Sequence, residues 1–557
     1  MNPFRSLAGQ FSALRGPLGA LRLGAVAAAA LLLVPIAVLI GSAWAPGTGT
    51  WAHLAQTVLP DYVLTTSALL AGVAAGVLLL GVGSAWLVTA YRFPGARTLE
   101  WVLILPLAVP AYVIAYAYTD VLQFSGPVQG ALRELTGWRA RDYWFPDIRS
   151  TGGAALVFSV VLYPYVYLLT RAAFLEQSAS LIEAGRLLGR GAWGTFVGVA
   201  LPLARPAIAV GASLALMETL ADFGAVSYFG VQTFTTGIYR AWLSLGDTVA
   251  AAQLSLVLLA FVALLLAAEQ WNRGRARFHN LSARPHARPR VLRGARAVAA
   301  FSACALPPLL GFFVPGAILI GVVAGEAEPL FTPRFLALTQ NTFVLAGITS
   351  LVAVALATMM AYAARLSRTP LVFASNRLAA LGYAIPGAVI ALGILVPVAR
   401  LDNLLADWAR AHYGINLGLL LTGSVAVLIY AYLVRFLAIA LHTVEAGLGK
   451  IRPSMEDAAR SLGLTPAQTL ARVHAPIMSR SLATAGLIVF VDVMKELPAT
   501  FALRPFNFDT LAVQAYNMAK DERLAEAAAA SLVIVAVALV PLFVLARSIA
   551  KGRGHEA

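Results

Sequence analysis

The segments Ser180–Gly189 (SLIEAGRLLG) and Ser454–Gly463 (SMEDAARSLG) are two copies of one motif, and they decide the fold. They lie 274 positions apart without a gap, and the same offset places Pro202 on Pro476 and continues as far as Thr510. A register held over so long a stretch indicates an internal duplication. The chain is therefore expected to consist of two related halves.

Long apolar segments surround each copy of the motif. A helix needs about 20 mostly apolar residues to cross about 30 Å of hydrocarbon. The twelve candidates, six before and six after an arginine-rich break, are Leu23–Trp44, Leu64–Ala90, Trp101–Thr119, Thr151–Thr170, Pro206–Met217 continuing toward Ala225, Thr248–Ala268, Val298–Gly325, Asn341–Ala364, Leu378–Ala399, Gly414–Val434, Ser481–Val491 continuing toward Ala499, and Ala528–Ala546. The sequence predicts an all-α integral membrane protein with about twelve transmembrane helices, in two parallel six-helix halves at 1–272 and 298–557 joined by a linker at 273–297.

The composition also indicates a membrane protein. Of the 557 residues, 60% are hydrophobic and 12% are charged, whereas a soluble domain carries about 25% charged residues. The net charge of +15 comes from arginines in loops between apolar segments, which is the distribution of the positive-inside rule and not a nucleic-acid footprint. We expect contact with membrane lipid and none with nucleic acid. A single cysteine, Cys304, excludes an intrachain disulfide framework.

Arginine placement predicts the orientation. The basic clusters are Arg5, Arg15 and Arg22 before the first span, Arg273, Arg275, Arg277, Arg284, Arg288, Arg290, Arg293 and Arg296 in the linker, and Arg547, Lys551 and Arg553 after the last span. Twelve spans would put all three clusters on one side, so both termini and the linker are predicted to be cytoplasmic, with Asp120–Ser150 outside.

Both motifs have the features of a short helix. Ser180 and Ser454 each precede an acidic residue by three positions, which is the spacing of a capping box. Gly189 and Gly463 stand where a helix ends in a left-handed residue. Thr465–Pro466 adds a cap and a proline at a first helical position. The sequence predicts a short helix in an equivalent loop of each half, with an ordinary connector helix as the alternative.

At these residues the chain resembles the cytoplasmic loop motif of ABC-importer permeases: glutamate-alanine-alanine, a glycine, and a hydrophobic residue followed by proline. The corresponding loop residues are Glu183, Ala184, Gly185, Arg186, Gly189 and Pro202 in the first half and Asp457, Ala458, Ala459, Arg460, Gly463 and Pro476 in the second. In that family the helix docks on an ATPase subunit.

The resemblance implies a fold like that of type I ABC importer permeases and a multi-pass protein of the bacterial inner membrane. It also implies two copies of an ATPase partner and a periplasmic or extracellular substrate-binding protein. Gly185, Asp457 and Ala475 depart from the motif, which implies docking contacts of unequal strength.

The chain contains no phosphate-binding motif of its own. Gly447–Ile451 has neither the spacing nor the hydroxyl of a Walker A sequence. We expect ATP hydrolysis to reside on a separate subunit, and we expect this chain to be a transport permease without enzymatic activity or a cofactor. A secondary transporter is the alternative class, against which the twin loop motifs argue. The seven scattered histidines form no metalloprotease motif, which disfavours a membrane enzyme.

Two acids follow the fifth apolar segment of each half: Glu218 and Asp222, and at the same offset Asp492 and Glu496. Ionisable groups near the bilayer core are energetically expensive, so they are functional candidates. Four-residue spacing places each pair on one helical face if the helix persists. These acids are candidates for a cation pathway. Alternatively, they end the spans at the interface, pair with Lys495 and nearby arginines, or form packing contacts at the periplasmic mouth. No metal site is assigned.

Several segments resemble the fused ferric-iron permeases of bacteria, namely 218–230 (ETLADFGAVSYFG), 234–239 (FTTGIY), 495–500 (KELPAT) and 504–510 (RPFNFDT). The resemblance implies ferric iron as the substrate. Fused thiamine permeases have the same architecture, and sulfate, molybdate, phosphonate and polyamine permeases share the loop motif. Tyrosines are plentiful on the third and fourth segments: Tyr112, Tyr116, Tyr118, Tyr163, Tyr165 and Tyr167. We interpret most of them as an interfacial aromatic belt, although phenolate oxygens also suit a hard cation.

Overall fold

The computed structural model describes residues 19–45, 49–139, 141–177, 189, 191–273, 289–327, 330, 332–367, 369–416 and 418–553. The helices of the first half are α1 (Gly19–Ala43), α2 (Thr50–Thr57), α3 (Leu59–Ala90), α4 (Ala96–Val102), α5 (Ala111–Leu122), α6 (Pro127–Thr136), α7 (Thr151–Glu176), α8 (Ala192–Thr195), α9 (Leu201–Ala221), α10 (Gly224–Tyr228), α11 (Phe234–Tyr239) and α12 (Thr248–Arg273). A 3₁₀ turn at Leu105–Ala108 precedes α5, and π-helical turns at Phe196–Ala200 and Arg240–Ser244 follow α8 and α11.

The second half repeats this order. Its helices are α13 (Ala295–Pro308), α14 (Val314–Ala324), α15 (Pro333–Ser367), α16 (Pro370–Ala379), α17 (Gly387–Tyr413), α18 (Val425–Gly449), α19 (Pro453–Ser461), α20 (Pro466–Thr469), α21 (Ala475–Met494), α22 (Pro498–Leu503), α23 (Leu511–Lys520) and α24 (Leu524–Arg553). π-Helical turns at Leu309–Phe313 and Leu470–His474 lead into α14 and α21, and a 3₁₀ turn at Ala380–Ala384 precedes α17.

Eleven helices in the described part of the chain are long and apolar enough to cross a membrane, and the number reaches twelve if one bent pair is a single span. This confirms the prediction of an all-α membrane protein with about twelve transmembrane helices. The bent pair corresponds to the third predicted span. Its segments Ala96–Ala108 and Ala111–Thr136 meet at 92°. Pro110 explains the break, because proline lacks an N–H and pushes the preceding residue, Val109, into its observed extended conformation.

The starts of equivalent helices follow the 274-residue offset. Ser150 caps α7 by accepting a hydrogen bond from the Gly153 amide at 3.1 Å, and Ser424 caps α18 through the Val427 amide at 3.4 Å. A serine hydroxyl at this position satisfies one of the free amides of a first helical turn. The duplication therefore fixes not only the motif but also the residue at which each of these helices begins.

The described residues form two compact units that combine segments from both predicted halves. One unit lies within Met1–Thr48, Ala241–Leu256 and Phe331–Gln514, so α1 packs with helices of the second half. The other lies within Gly49–Arg240, Val257–Leu330 and Ala515–Ala557, so α13, α14 and α24 belong with most helices of the first half. The boundaries at 272 and 298 remain a prediction about the duplication.

Close backbone approach shows how tightly the exchanged helices pack. A Cβ atom on Gly393 of α17 would lie 2.4 Å from the Pro35 carbonyl oxygen of α1, and the Tyr430 hydroxyl of α18 donates to the carbonyl of Leu31. In the other unit, a Cβ atom on Gly311 would lie 2.3 Å from the Val160 carbonyl oxygen. A substituent at either glycine would therefore force the backbones apart.

Most of the predicted linker, residues 274–288, lies outside the described residues. Its end forms β2 (Arg290–Val291), which pairs in parallel with β1 (Tyr91–Arg92) directly after α3. The Leu292 amide extends this pairing by donating to the Arg92 carbonyl at 2.8 Å. The second half is thus attached by its backbone to the loop that follows α3.

Candidate coupling segment and membrane acids

The second copy of the loop motif forms helix α19 followed by a left-handed turn. Gly463 has φ 78°, its amide donates to Arg460, and the Leu464 amide donates to the Ala459 carbonyl. These two bonds satisfy carbonyls that the helix end leaves free. Thr465 then caps α20, as predicted, and the structure shows that Gln468 completes a capping box with it.

One local prediction for this helix is wrong. Ser454 is not its N-cap, because the helix begins one residue earlier, at Pro453, with no side-chain cap. Proline favours the first helical position because the missing N–H is not needed there. The side chain of Asp457 instead pairs with Arg460, one turn further along the exposed face.

The motif residues of the second half divide into an exposed set and a buried anchor. Asp457, Ala458, Arg460, Gly463 and Pro476 are exposed, whereas Ala459 is buried. Leu462 beside them is also exposed, at 81% of its surface. The result is a short helix with charged and apolar side chains available to a partner.

Most of the first copy cannot be compared with it. Glu183, Ala184, Gly185 and Arg186 lie outside the described residues. Gly189 is described and has φ 79°, within one degree of Gly463 at the matched position. Pro202 is exposed at the start of α9.

The acids of the first half lie where α9 ends. Glu218 is half-buried on the last turn of α9. Asp222 is the residue after the helix, and its Oδ1 accepts hydrogen bonds from the amides of Ala225 at 2.9 Å and Val226 at 3.2 Å. The expectation that both acids share one helical face is wrong here, because Asp222 initiates a new helix, α10, instead of continuing α9.

A phenol lies close to Asp222. The Tyr516 hydroxyl is 2.9 Å from the Ser227 hydroxyl, and its ring lies 5.8 Å from that of Phe223. Burial raises the pKa of the Tyr516 phenol, the hydrogen bond with Ser227 lowers it, and the charge of Asp222 raises it further. The phenol is therefore protonated at neutral pH and available as a hydrogen-bond donor.

The acids of the second half have basic partners. Asp492 forms an ion pair with Lys495 at 3.0 Å. Glu496 is 4% exposed and forms an ion pair with Arg435 at 3.2 Å. The single-face expectation is wrong here as well, because α21 ends at Met494, before Glu496.

Glu496 is also a helix cap. Its carboxylate accepts hydrogen bonds from the amides of Ala499 at 2.8 Å and Thr500 at 2.9 Å, at the start of α22. The Thr500 hydroxyl donates to the same carboxylate at 2.6 Å and lies 2.6 Å from the Tyr432 hydroxyl. A Cβ atom on Gly387 would lie 2.8 Å from both the Glu496 Oε1 and an Arg435 nitrogen, so only glycine leaves room for this pair.

Arg435 was missed by sequence reasoning. It follows the predicted tenth span directly, but α18 continues to Gly449 and places Arg435 in the middle of a spanning helix. The signal was present, because a single charged residue between Val425 and Leu441 is unusual enough to indicate a buried partner.

The tyrosines do not form an exposed belt. Tyr112, Tyr116, Tyr118, Tyr163 and Tyr167 are all buried. The Tyr163 hydroxyl donates to the Leu103 carbonyl at 2.7 Å, and Tyr167 donates to the Glu100 carbonyl at 3.0 Å. The hydroxyls of Tyr163 and Tyr167 thus satisfy backbone carbonyls next to the break between α4 and α5, where proline interrupts the helical hydrogen bonds. Within the described parts of the chain, no three His, Cys, Asp or Glu side chains are placed to hold a metal ion.

Comparison with known proteins identifies the family. The profile of binding-protein-dependent transport system inner membrane components matches twice, at residues 77–273 and 353–554. The chain is 27% identical to the Fe(3+)-transport system permease protein FbpB 2 of Haemophilus influenzae, over 87% of this chain and 90% of that protein. It is also 31% identical to the molybdenum transport system permease protein ModB of Escherichia coli, over 34% of this chain and 83% of that protein. A similar match, 31% identity over 31% of this chain and 59% of the relative, is to the E. coli sulfate transport system permease protein CysT. Both copies of the duplication fall within the family match, and the chain belongs to the binding-protein-dependent transport system inner membrane components.

Proposed function

We propose that this chain is the membrane permease of an importer for ferric iron. The observation that carries the proposal is similarity to a ferric-iron permease over nearly the whole length of both proteins. The molybdenum and sulfate permeases match shorter stretches. In this proposal a substrate-binding protein delivers iron from outside, and two copies of a separate ATPase subunit drive its passage.

Charge at the membrane acids supports a cation over an oxyanion. The second half balances Asp492 and Glu496 with Lys495 and Arg435. At the positions that match these two bases, the first half has Ala221 and Val161. The first half thus keeps both acids, Glu218 and Asp222, but has no base at the positions that match Lys495 and Arg435. Negative charge lowers the electrostatic cost of bringing a trivalent cation into a low-dielectric passage and raises the cost for molybdate or sulfate.

Iron uptake in a strain that lacks other iron systems tests the substrate. Expression of this chain with its ATPase and binding protein should restore uptake of ferric iron. If the system instead takes up molybdate, sulfate or thiamine, and ferric iron does not inhibit that uptake, the substrate is reassigned. The permease assignment then stays in place.

The exposed face of α19 supports the ATPase contact. We propose that Asp457, Ala458 and Arg460 dock on one ATPase subunit, and that Glu183–Arg186 dock on the other. Lysine in place of Glu183 or Asp457 should leave the chain inserted but weaken ATPase binding, because opposite charges across an interface become like charges. Co-purification of the ATPase measures this. Undiminished recovery and hydrolysis with both variants would contradict the docking assignment.

The proposed topology places both termini and the linker in the cytoplasm. Cysteines introduced one at a time into the linker and into Asp120–Ser150, in a Cys304→Ser background, can be labelled with an impermeant reagent in intact cells. The external segment should react and the linker should not. Labelling of the linker from outside would overturn the orientation.

A further inference from the structure

A largely buried cluster built around one ion pair ties the coupling segment of the second half to a membrane helix. We define it as Arg365, Glu456 and His474. Arg365 lies two residues before the end of α15 and donates to the Glu456 carboxylate, in the first turn of α19. Their side chains are only 17% and 14% exposed. His474 is fully buried, with its Nε2 3.5 Å from the same Glu456 oxygen.

The Arg365 guanidinium joins a third element. It donates to the Leu448 carbonyl and, at 2.7 Å, to the Ile451 carbonyl, both at the end of α18. The last carbonyls of a helix lack partners within it, and the negative end of the helix dipole attracts a cation. One side chain therefore holds the ends of α15 and α18 and the start of α19 together.

A second contact lies one turn away on α15. The Tyr362 hydroxyl donates to the carbonyl of Pro466 at 3.1 Å, and the Tyr362 ring lies edge-on to His474 at 5.3 Å. The last turn of α15 thus contacts α19, the first residue of α20 and the turn that starts α21. α19 cannot move away from α15 without breaking charge-assisted hydrogen bonds in a site with little access to water.

The sequence excludes the same cluster from the first half. The residues that match Arg365, Glu456 and His474 at the 274-residue offset are Tyr91, Ile182 and Ala200. None of them can form an ion pair. The Arg365–Glu456–His474 cluster therefore has no counterpart at the matched positions of the first half.

We propose that Arg365 is a positioning residue that transmits movement of α19 to α15, so that a displacement imposed on α19 by the ATPase moves a whole spanning helix. This inference rests on the proposed docking of α19 on an ATPase subunit. It differs from that docking because Arg365 contacts other residues of the permease and not the proposed ATPase-facing side chains of α19. Its proposed role therefore begins after the ATPase has bound.

The test compares uptake with ATP hydrolysis in proteoliposomes that contain the permease, its ATPase and the loaded binding protein. Arg365→Ala should retain the ATPase on purification and retain hydrolysis, while transport per ATP hydrolysed falls about tenfold, which is typical of an energetic coupling between two sites. Arg365→Lys should lose part of the coupling, because an ammonium cannot reproduce the planar fork of donors. Arg377→Ala is the matched control, because it removes an exposed arginine on the neighbouring helix α16 and should leave the ratio unchanged.

Exchanging the two charges distinguishes a loss of coupling from a loss of folding, because the double variant can form the ion pair again. Glu456→Arg alone should uncouple transport, and the double variant Arg365→Glu with Glu456→Arg should recover part of the ratio if the pair transmits movement. A wild-type ratio for Arg365→Ala, or equal uncoupling by the single and double variants, would overturn the inference. If the ATPase fails to bind even the wild-type chain, the proposed function fails instead.

Discussion

Asp222 and Glu496 occupy matched positions in the two halves and do the same local work. Each carboxylate accepts two backbone amides, three and four residues ahead, and starts a short helix after a long one. The surroundings differ, because Glu496 also faces Arg435, whereas the residue that matches Arg435 in the first half is Val161. The duplication has kept the backbone role of the acid and changed its electrostatic role.

The difference separates two uses of a buried carboxylate. In the second half the charge is compensated and the acid holds structure together. In the first half the equivalent of α18, helix α7, has Val161 in place of the arginine, and Glu218 lies one turn before the capping Asp222. Structural and transport roles should therefore respond to different substitutions in the two halves.

The largest expected effect on stability is at Glu496. Replacing it with alanine leaves Arg435 buried without its carboxylate, and breaking a buried ion pair in this way costs about 3–5 kcal/mol. Asp222→Ala removes a helix cap and should cost about 1 kcal/mol. Unfolding of the purified protein in detergent measures both. Equal losses would contradict the distinction between the two acids.

Transport should show the opposite ranking. The double variant Glu218→Gln with Asp222→Asn keeps size and hydrogen bonding but removes two charges, and we expect uptake to fall about 100-fold or more, equivalent to about 3 kcal/mol. Asp492→Asn is the matched control, because its charge is already compensated by Lys495. Uptake at the wild-type rate by the double variant would leave these acids as helix caps only.

A smaller loss is expected when the space around the compensated acid is filled. Gly387→Ala places a methyl group 2.8 Å from atoms of both Arg435 and Glu496, and overpacking of this kind costs about 2 kcal/mol. Gly347→Ala on α15 has open space around its new methyl group and should be neutral or stabilising. Thermal unfolding of the two alanine variants distinguishes a steric effect from a general effect of helix composition.

The smallest expected effects test what the two halves share. Ser150→Ala and Ser424→Ala each remove one equivalent cap, and each should cost about 1 kcal/mol. Their unfolding free energies should agree with one another, unlike those of the Asp222 and Glu496 variants. A large difference between the serines would mean that the halves diverge in backbone stability as well as in charge.

The part of the fold that depends on local pattern could be predicted. Apolar length gave the number of spans, and the offset between motifs located the left-handed glycines and the paired acids. Contacts between distant segments could not be predicted in the same way. The partner of Glu496 is Arg435, on another helix, and the partner of Glu456 is Arg365, 91 positions earlier.

The helices that α1 contacts could not be predicted from a sequence pattern either. Nothing in an apolar stretch such as Leu23–Trp44 states which helices it will contact, because apolar side chains pack without directional preference. The bend at Pro110 could have been anticipated, since proline restricts the residue before it. The bend was not predicted because Trp101–Thr119 is apolar throughout and long enough for one straight span.

The exchange of α1 between halves has a consequence for biosynthesis. α1 is synthesised before its packing partner at Gly393, which follows about 350 residues later, or about 20–70 s at ordinary translation rates. During that interval α1 lies in the lipid without α17, the helix against which it packs in the finished protein. Joining both halves in one polypeptide keeps the late partner tethered to the waiting helix, so that their meeting is intramolecular and independent of the number of copies in the membrane.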